Sequence, residues 1–397
     1  MLTESGPAPD FPPVAYSAKT TPTVRAAACH ASPHFLSASL TTQKAISLIR
    51  TAAANSAHLV VFPETYIPAF PIWSSVLPPT QNHDLFKRMV AESIYVDGPE
   101  VNEIKATARQ LGIVVSIGIS EKVRYSSAAL FNTNLIIGTD GSVLVHHRKL
   151  MPTFYEKLTW SPGDGHGLRV AEVVIKAKAN TPEGENQTGT AKIGALICGE
   201  NTNPLARYAL MAEGEQVHIS CWPAIWPTRE VQAPKEEVNT VDGSDKAERK
   251  KLSAQNYDNV TANRTRIAAH CFEAKCFGIL CSGVLPQEAI DLIIDSAGSS
   301  DSEKLSVRET LEHSSRGATM FIDPNGTLLP GFTIDEEKKQ EARDMLRAQE
   351  GILYADLDLE KCVEGKQYHD VVGGYQRLDV FDLKVDRRRR EPATFMD

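Results

Sequence analysis

Residues 191–208, AKIGALICGENTNPLARY, join a predicted strand to a predicted helix through a cysteine. The apolar run that ends at Ile197 indicates a buried strand. Asn203-Pro204 predicts a helix start, because asparagine caps helices and proline fits their first turn. Cys198 therefore stands at the end of a strand. In α/β folds, side chains at such ends project into crevices outside the sheet, where ligands bind.

The composition is that of an ordinary globular chain. Its 397 residues are 42% hydrophobic and 23% charged, which is enough for a sizeable core. The formal net charge of -8 argues against nucleic acid as the main partner. Seven cysteines, an odd number without a CxxC pair, disfavour a disulfide framework and a zinc ribbon. We therefore expect a reducing, cytoplasmic location.

Three regions divide the chain. Residues 1–22 are rich in proline and small polar residues and predict a flexible leader, neither a signal peptide nor an anchor. No run of eighteen apolar residues occurs, so no contact with a membrane is expected. Residues 23–360 predict a single domain. Residues 361–397 predict a C-terminal extension whose basic end, residues 387–390, is solvated and disordered.

Hydrophobic periodicity predicts strands that alternate with helices and hairpins, which indicates a layered α/β protein with a mixed sheet. Helices are expected at residues 41–56, 101–111, 204–212 and 255–274, with Gly112 ending the second and Gly214 following the third. Asp140-Gly141 and Asn325-Gly326 predict hairpin turns. Three polar segments without periodicity predict loop insertions: residues 176–190, 229–251 and 288–316.

Three of the predicted strands end in reactive side chains. Glu64 ends HLVVFPE, Lys149 ends SVLVHHRK and Cys198 ends AKIGALIC. Each alone has a structural explanation, a buried thiol or a solvated charge, so only their coincidence is informative. Ionising a thiol at pH 7 costs roughly 2 kcal/mol. Glu64 could accept that proton and Lys149 could stabilise negative charge on a substrate, which suits the cleavage of carbon–nitrogen bonds.

The motifs around these residues resemble those of the nitrilase superfamily of Cys-Glu-Lys hydrolases, and of its nitrilase branch in particular. The resemblance covers residues 23–387 and implies Glu64 as general base, Lys149 as cationic stabiliser and Cys198 as nucleophile. It also implies that Glu156 orients Lys149. The motifs are VVFPETYIPAFP, HHRKLMPTFYEKLTWSPGDG, ALICGENTNPLARYALMAEGEQVHIS and HDVVGGYQRLDVFDLKVDR.

The resemblance further implies a fold and an assembly. The fold is an α-β-β-α four-layer sandwich, which dimerises into an eight-layer α-β-β-α-α-β-β-α core. Spiral homo-oligomers are built with the insertions and the C-terminal extension. No cofactor and no metal are implied. Five residues beside the strand ends are candidates for substrate binding, although each aromatic side chain suits the core equally well: Gly199, Tyr66, Tyr155, Trp160 and Trp222.

The residues after the cysteine favour a nitrile substrate. Gly199-Glu200-Asn201 and Pro204-Leu205 match the Cys-any-Glu-Asn and Pro-Leu pattern of nitrile-hydrolysing members, whereas amidase branches place aspartate and arginine there. We therefore expect hydrolysis of an organic nitrile to carboxylic acid and ammonia through a thioimidate and a thioester. The alternatives are a nitrile- or cyanide-hydrating relative that releases amide, an amidase, and a filament-forming scaffold without activity.

Three positions depart from the branch pattern. Gly199 stands where an aromatic residue, often tryptophan, is common, which predicts a reshaped pocket. His30 replaces the usual glutamine, and Gly374 replaces a histidine in the tail. The pair His146-His147 does not predict a metal site, because neighbouring strand residues point to opposite faces. Glu200 and Asn201 are expected to hold the turn after the cysteine.

Overall fold

The computed structural model describes residues 22–178, 186–228, 257–298, 300–389, 392–393 and 396. The helices are α1 (Ala38–Ala54), α2 (His83–Glu92), α3 (Pro99–Leu111), α4 (Pro204–Met211), α5 (Asn259–Ala274), α6 (Gln287–Asp295), α7 (Asp301–His313) and α8 (Lys361–Glu364). The strands are β1 (Thr23–His30), β2 (Leu59–Val61), β3 (Val114–Lys122), β4 (Leu130–Ile137), β5 (Val143–Arg148), β6 (Ala171–Lys178), β7 (Asn186–Ile197), β8 (Val217–Trp222), β9 (Phe277–Ser282), β10 (Thr319–Ile322), β11 (Leu328–Leu329), β12 (Gly331–Ile334), β13 (Gln340–Arg343), β14 (Met345–Leu346) and β15 (Gly351–Asp358).

The strands form two mixed sheets. The first has the order β13-β12-β15-β1-β2-β3-β4-β5, and the second has the order β11-β10-β9-β8-β7-β6, with β14 paired to β10. Strands β1, β2 and β3 run parallel to one another, as do β7, β8 and β9, while the outer pairs are antiparallel. The prediction of a mixed α/β architecture is therefore confirmed.

The two sheets pack face to face over an apolar core. Val24, Ala26 and Ala28 of β1 share one buried cluster with residues of the second sheet such as Ile193 and Ile219. The alternate residues of β1 pack on α1 and α3, and α5 covers the outer face of the second sheet. Full burial of an isoleucine or valine contributes about 1.5–3 kcal/mol, so this core holds the layers together. The layers have the expected α-β-β-α order.

The predicted turns and caps are confirmed where a single residue type fixes the backbone. Gly112, Gly141 and Gly326 adopt left-handed conformations, with φ of 63°, 80° and 76°, at the end of α3 and in two hairpins. Asn203 caps α4 through hydrogen bonds from the N–H groups of Leu205 and Ala206. Local backbone chemistry was thus a reliable guide to element ends.

The predicted loops are wrong in two of three places. Residues 288–316 form most of α6 and all of α7, because an apolar stripe buries one side of α6 and Ser300 caps α7. Residues 176–190 include the ends of β6 and β7, which pair from Ala171↔Ile193 to Lys178↔Asn186. The backbone ladder continues beyond the apolar part of each strand. The third segment, residues 229–251, lies entirely outside the described residues, as does the leader up to residue 21.

The C-terminal extension returns to the surface of the domain. Arg387 forms an ion pair with Glu213. Arg389 lies 3.3 Å from Asp164 through its Nε atom and donates a hydrogen bond to the backbone oxygen of His146. The side chains of Arg387 and Arg389 are therefore partly buried against the domain, whereas that of Arg388 is exposed. Among the described helices, none combines the length and the hydropathy needed to cross a bilayer.

Candidate active site

Glu64 lies three residues beyond Val61, the last residue of β2, and is 2% exposed. Its loop passes close to Gly118 of β3, where an added Cβ would lie 2.3 Å from the nitrogen of Thr65. Its Oε1 atom accepts hydrogen bonds from Asn132 (2.7 Å) and from Lys149 (2.8 Å). Its Oε2 atom is buried and has no partner among the described residues. Burial raises the pKa of Glu64 to about 7, so this carboxyl group can exchange a proton near neutral pH.

Lys149 follows β5 and is 1% exposed. Its Nζ atom donates to Oε1 of Glu64 and to both oxygens of Glu156, at 2.9 and 2.7 Å. Burial lowers the pKa of Lys149, but its electrostatic interactions with Cys198, Glu156 and Glu64 outweigh burial and raise the pKa well above its ordinary value. The lysine is therefore a fixed ammonium between two carboxyl groups.

Glu156 is held in a short 3-10 helix, Phe154–Leu158. Besides Lys149, its Oε2 atom accepts the backbone N–H of Thr153 at 3.0 Å. Phe154 has a φ of 50°, a left-handed conformation that bulky residues rarely adopt. Burial raises the pKa of Glu156. Two buried carboxyl groups thus share one ammonium, which favours retention of a proton by the pair.

Cys198 begins a 3-10 helix, Cys198–Thr202, directly after β7. Its Sγ atom and carboxylate oxygens of Glu64 and Glu156 lie within 4.8 Å of one another. The thiol is 3% exposed, and burial raises its pKa well above its ordinary value. The sulfur is therefore a thiol at rest, and it needs a base to become a nucleophile.

The backbone at Cys198 is strained in a way that the sequence did not indicate. The left-handed residue at the exit from the strand is Cys198 itself, with a φ of 51°, and not the following glycine. Such a conformation costs of order 1–3 kcal/mol in a residue with a side chain, and it is typical of functional sites. The backbone N–H of Gly199 acts to lower the pKa of the Cys198 thiol, but burial outweighs it.

Glu200 links the end of β5, just before Lys149, to the end of β7, just before Cys198. Its carboxylate accepts the N–H of Leu150 at 2.5 Å and the N–H of Ile197 at 2.9 Å. His147 donates to the same carboxylate at 2.9 Å, and its ring is completely buried. The neighbouring His146 instead faces Glu121, at 2.8 Å. The two adjacent histidines therefore serve different carboxylates on opposite faces of β5.

A cavity of about 40 Å³ lies beside Glu64. Tyr66 and Trp222 line it, and the Tyr66 hydroxyl donates to the backbone oxygen of Ser32 at 3.1 Å. Most of the other lining side chains are apolar, including Phe35, Phe70, Ile72, Ile225, Val284 and Leu285. The cavity therefore suits an uncharged organic group next to the reactive carboxyl.

The other predicted binding residues occupy different surroundings. Tyr155 precedes Glu156 and stacks on Trp226, with ring centres 4.7 Å apart. Trp160 does not line the cavity, and its indole N–H donates to Ser120 at 3.1 Å within an apolar cluster. An added Cβ at Gly199 would lie 2.8 Å from Oγ1 of Thr153. The glycine thus faces the loop that carries Glu156.

Two clusters of described residues bring metal-ligating atoms within 4.8 Å of one another. One is Glu64, Glu156 and Cys198, and the other is Glu215, His270 and Cys276. In the first cluster, Lys149 contacts both carboxylates and supplies the positive charge that a metal ion would bring. The chemistry of this site is therefore that of a thiol, a base and an ammonium.

Sequence reasoning missed two residues that shape this site. Asn132 is a polar residue within the buried strand β4, and it holds Glu64 in place. Gly118 is a glycine inside β3, which is a recognised signal of close backbone approach. Both signals are present in the sequence, but neither tells which chain segment approaches.

Three comparisons with known proteins bear on this arrangement. A family model described as carbon-nitrogen hydrolase matches residues 25–367. A nitrilase from Paraburkholderia phymatum is 29% identical over 375 residues, which cover 94% of this chain and 89% of that protein. An arylacetonitrilase from Fusarium vanettenii is 31% identical over 369 residues, which cover 93% of this chain and 94% of that protein.

Solved structures share the fold at low sequence identity. A carbon-nitrogen hydrolase from Helicobacter pylori has a TM-score of 0.59 at 17% identity, with 91% of this chain and 97% of that chain covered. Nit3 from Saccharomyces cerevisiae, a member of branch 10 of the nitrilase superfamily, has a TM-score of 0.55 at 18% identity, with 91% and 98% covered. These likenesses concern the fold alone.

Proposed function

Because this chain belongs to the carbon-nitrogen hydrolase family, we propose that it is a nitrilase, which converts an organic nitrile and two water molecules into a carboxylic acid and ammonia. One observation carries the proposal: Glu64, Lys149 and Glu156 are joined by hydrogen bonds, with the sulfur of Cys198 within 4.8 Å of both carboxylates. Relatives named nitrilase and arylacetonitrilase, at 29% and 31% identity, support a nitrile over an amide as substrate.

The first half of the reaction forms a covalent bond to sulfur. Glu64 accepts the Cys198 proton as the sulfur attacks the nitrile carbon, and the nitrile nitrogen takes up that proton to give a thioimidate. Burial raises the pKa of Glu64 to about 7, which suits a group that accepts and returns a proton at neutral pH. The N–H of Gly199 and the ammonium of Lys149 stabilise negative charge as it develops.

The second half releases ammonia and then the acid. Water, deprotonated by Glu64, adds to the thioimidate carbon, and Lys149 holds the tetrahedral species. Its amino group takes a proton and leaves as ammonia, which gives a thioester. A second water then breaks the carbon–sulfur bond and regenerates the thiol. Glu156 orients Lys149 through the bonds at 2.9 and 2.7 Å.

We extend the proposal to the assembly and the compartment. The C-terminal extension exposes apolar side chains, which supports a role in homodimers and in higher spiral oligomers. These side chains include Tyr368, Tyr375, Leu378, Val380 and Phe381. All seven cysteines are free thiols, which supports a reducing cytoplasmic location. Sedimentation of the full chain, and of a chain truncated after residue 367, tests the assembly.

Cys198→Ser tests the chemistry. We expect nitrile turnover to fall by roughly 10³-fold or more, because the hydroxyl is a far weaker nucleophile here, while the circular dichroism spectrum stays unchanged. Cys221→Ser is the matched control, since Cys221 is equally buried and pairs with Ile197 on the neighbouring strand. Acid and ammonia should form in equal amounts. Retained turnover in Cys198→Ser would remove Cys198 from its role, and amide as main product would favour a hydratase.

A further inference from the structure

A second buried polar cluster contacts the turn of Cys198 from β8. His218 of β8 lies with its Nδ1 atom 2.9 Å from Oε1 of Glu215 and its Nε2 atom 2.8 Å from Oδ1 of Asn201. All three residues are 0–1% exposed. An added Cβ at Gly194 would lie 2.1 Å from Oε1 of Glu215, so only a glycine in β7 leaves space for this carboxylate.

The hydrogen bonds fix the direction of each donor in this cluster. The amide nitrogen of Asn201 donates to the backbone oxygens of Leu196 (3.2 Å) and Cys198 (3.0 Å). Its Oδ1 atom must therefore accept, and Nε2 of His218 must donate to it. Since Nδ1 of His218 faces a carboxylate, both ring nitrogens donate. Nδ1 therefore donates to Glu215 and Nε2 donates to Asn201, and the two bonds fix the orientation of the ring.

His270 occupies the other oxygen of Glu215 without reaching the cysteine turn. Its Nε2 atom lies 2.6 Å from Oε2 of Glu215, and its ring stacks on that of His218 with centres 3.7 Å apart. Burial and the neighbouring charge of His218 lower the pKa of His270 to about 4, so it is neutral. Burial raises the pKa of Glu215, but the two histidines outweigh it and lower the pKa to about 2.

We propose that Glu215, His218 and Asn201 form a relay that orients and polarises the peptide between Cys198 and Gly199. The carbonyl of that peptide accepts from Asn201 at 3.0 Å, and its N–H belongs to Gly199, the residue directly after the cysteine. Donation to a carbonyl strengthens the N–H of the same peptide as a donor, because hydrogen bonds in series polarise one another. The relay also holds Cys198 in its left-handed conformation, with φ of 51°.

The relay deepens the proposed function, since it rests on Cys198 as nucleophile, and its three members are positioning residues. Glu64, Lys149 and Glu156 face the sulfur from β2, β5 and the following 3-10 helix. The relay acts on the sulfur from β8, and only through the backbone of Cys198 and Gly199. Its loss should therefore reduce the rate of sulfur attack and leave substrate binding unchanged.

His218→Gln and Asn201→Asp test the relay against His270→Gln. His218→Gln removes the imidazole that donates to Asn201, and Asn201→Asp removes the donor to the Cys198 carbonyl. His270→Gln perturbs the same carboxylate outside the relay. We measure kcat, KM and melting temperature. A second readout is alkylation of Cys198 by iodoacetamide at several pH values, followed by mass spectrometry of its peptide. His218→Gln and Asn201→Asp should lower both kcat and the alkylation rate at pH 8 about 10-fold, with KM within twofold.

His270→Gln separates positioning from general stability. It should lower the melting temperature about as much as His218→Gln and keep kcat and alkylation within twofold. Equal effects of His218→Gln and His270→Gln on alkylation would overturn the relay, as would unchanged alkylation in Asn201→Asp. If His218→Gln does not fold, Asn201→Asp alone decides. Alkylation requires no nitrile. If the nitrilase proposal fails, the alkylation rates still test the relay, so the two failures can be told apart.

Discussion

Glu64 and Glu215 are both buried carboxylates with basic partners, yet their protonation differs. Burial raises the pKa of Glu64 to about 7, whereas the two histidines beside Glu215 overcome its burial and lower its pKa to about 2. Glu64 shares Lys149 with Glu156 and keeps one oxygen without a partner among the described residues. Both oxygens of Glu215 accept from a histidine.

Each carboxylate has two donors, so the difference lies in where the donors are and not in burial or in their number. Both donors of Glu64 reach one oxygen, and its ammonium is shared with Glu156, which favours retention of a proton at neutral pH. Each oxygen of Glu215 has a donor of its own, so this carboxylate stays ionised and fixes its partners. The site proposed for proton transfer is therefore the incompletely satisfied one, and the cluster proposed to support it is the saturated one.

Exchanging each carboxylate for its amide should separate the two clusters most strongly. Glu64→Gln keeps the size of the side chain but cannot accept a proton, so kcat should fall by about 10²–10⁴-fold with a melting temperature near that of the native chain. Glu215→Gln should instead destabilise the fold by about 3 kcal/mol, because it strips the counter-ion from His218. Its kcat should fall only about 10-fold. Steady-state kinetics and urea unfolding measure both.

If Glu215→Gln lowered kcat more than Glu64→Gln, the assignment of proton transfer to Glu64 and of support to Glu215 would be wrong. Loss of stability in Glu64→Gln similar to that in Glu215→Gln would show that both clusters are structural.

The two buried lysines offer a second contrast. Lys149→Met removes the ammonium between two carboxyl groups, and kcat should fall by about 10²–10³-fold with a smaller change in KM. Lys275 is also fully buried, but its Nζ atom has no hydrogen-bond partner among the described residues and lies 3.7 Å over the ring of Phe272. Lys275→Met should keep kcat within about twofold. If Lys149→Met changed KM alone, its role as stabiliser would be wrong.

The pH dependence of activity should report the titration of Glu64. Protonated Glu64 cannot accept the thiol proton, so kcat/KM should rise about 10-fold per pH unit up to about pH 7 and then level off. An acid limb centred near the ordinary value of 4.5 would contradict the raised pKa.

Glu64 and Glu215 should change the free energy of unfolding in opposite directions as the pH rises. Because the pKa of Glu64 is raised from 4.5 to about 7, its stabilising contribution is complete below pH 4.5 and is lost as the pH rises through 7. The pKa of Glu215 is lowered, so its contribution is present above pH 4.5 and is lost as the pH falls through about 2. Urea unfolding of Glu64→Gln between pH 5 and 8 should show a weaker decline than the native chain.

Gly199→Ala should have the smallest effect. The new Cβ would lie 2.8 Å from Oγ1 of Thr153, so the loop that carries Glu156 must shift slightly. We expect a stability loss of about 1 kcal/mol and a decrease of kcat/KM of a few-fold. Thr153→Ala in the same chain removes the clashing oxygen and should restore most of the loss. Additive effects of the two substitutions would show that the contact is unimportant.

Much of the fold could be predicted because its signals are local. Gly112, Gly141 and Gly326 mark their turns, and Asn203 marks its helix start, since each position has a backbone requirement that few residues meet. Helix α7 was missed because its polar residues outnumber its apolar ones, and α6 was missed because its apolar stripe is short and lies beside a polar segment. Burial of that stripe depends on neighbours distant in sequence, which no local pattern reveals.

The candidate site also has one part that the sequence predicted and one part that it did not. The strand ends and the motifs around them predicted Glu64, Lys149, Glu156 and Cys198, whose side chains the fold brings together. The pairings that support them join residues far apart in the chain, such as Asn132 with Glu64. The strain at Cys198 was also missed, because no local sequence pattern marks a cysteine in the left-handed conformation.

Mass spectrometry of the protein quenched in acid during turnover tests the central claim most directly. With a slowly hydrolysed nitrile, the peptide that contains Cys198 should gain the mass of the nitrile as thioimidate, or of its acyl group as thioester. The gain should disappear in Cys198→Ser and persist in Cys221→Ser. Nitrile hydrolysis without any adduct on Cys198, or with the adduct on another residue, would contradict the account.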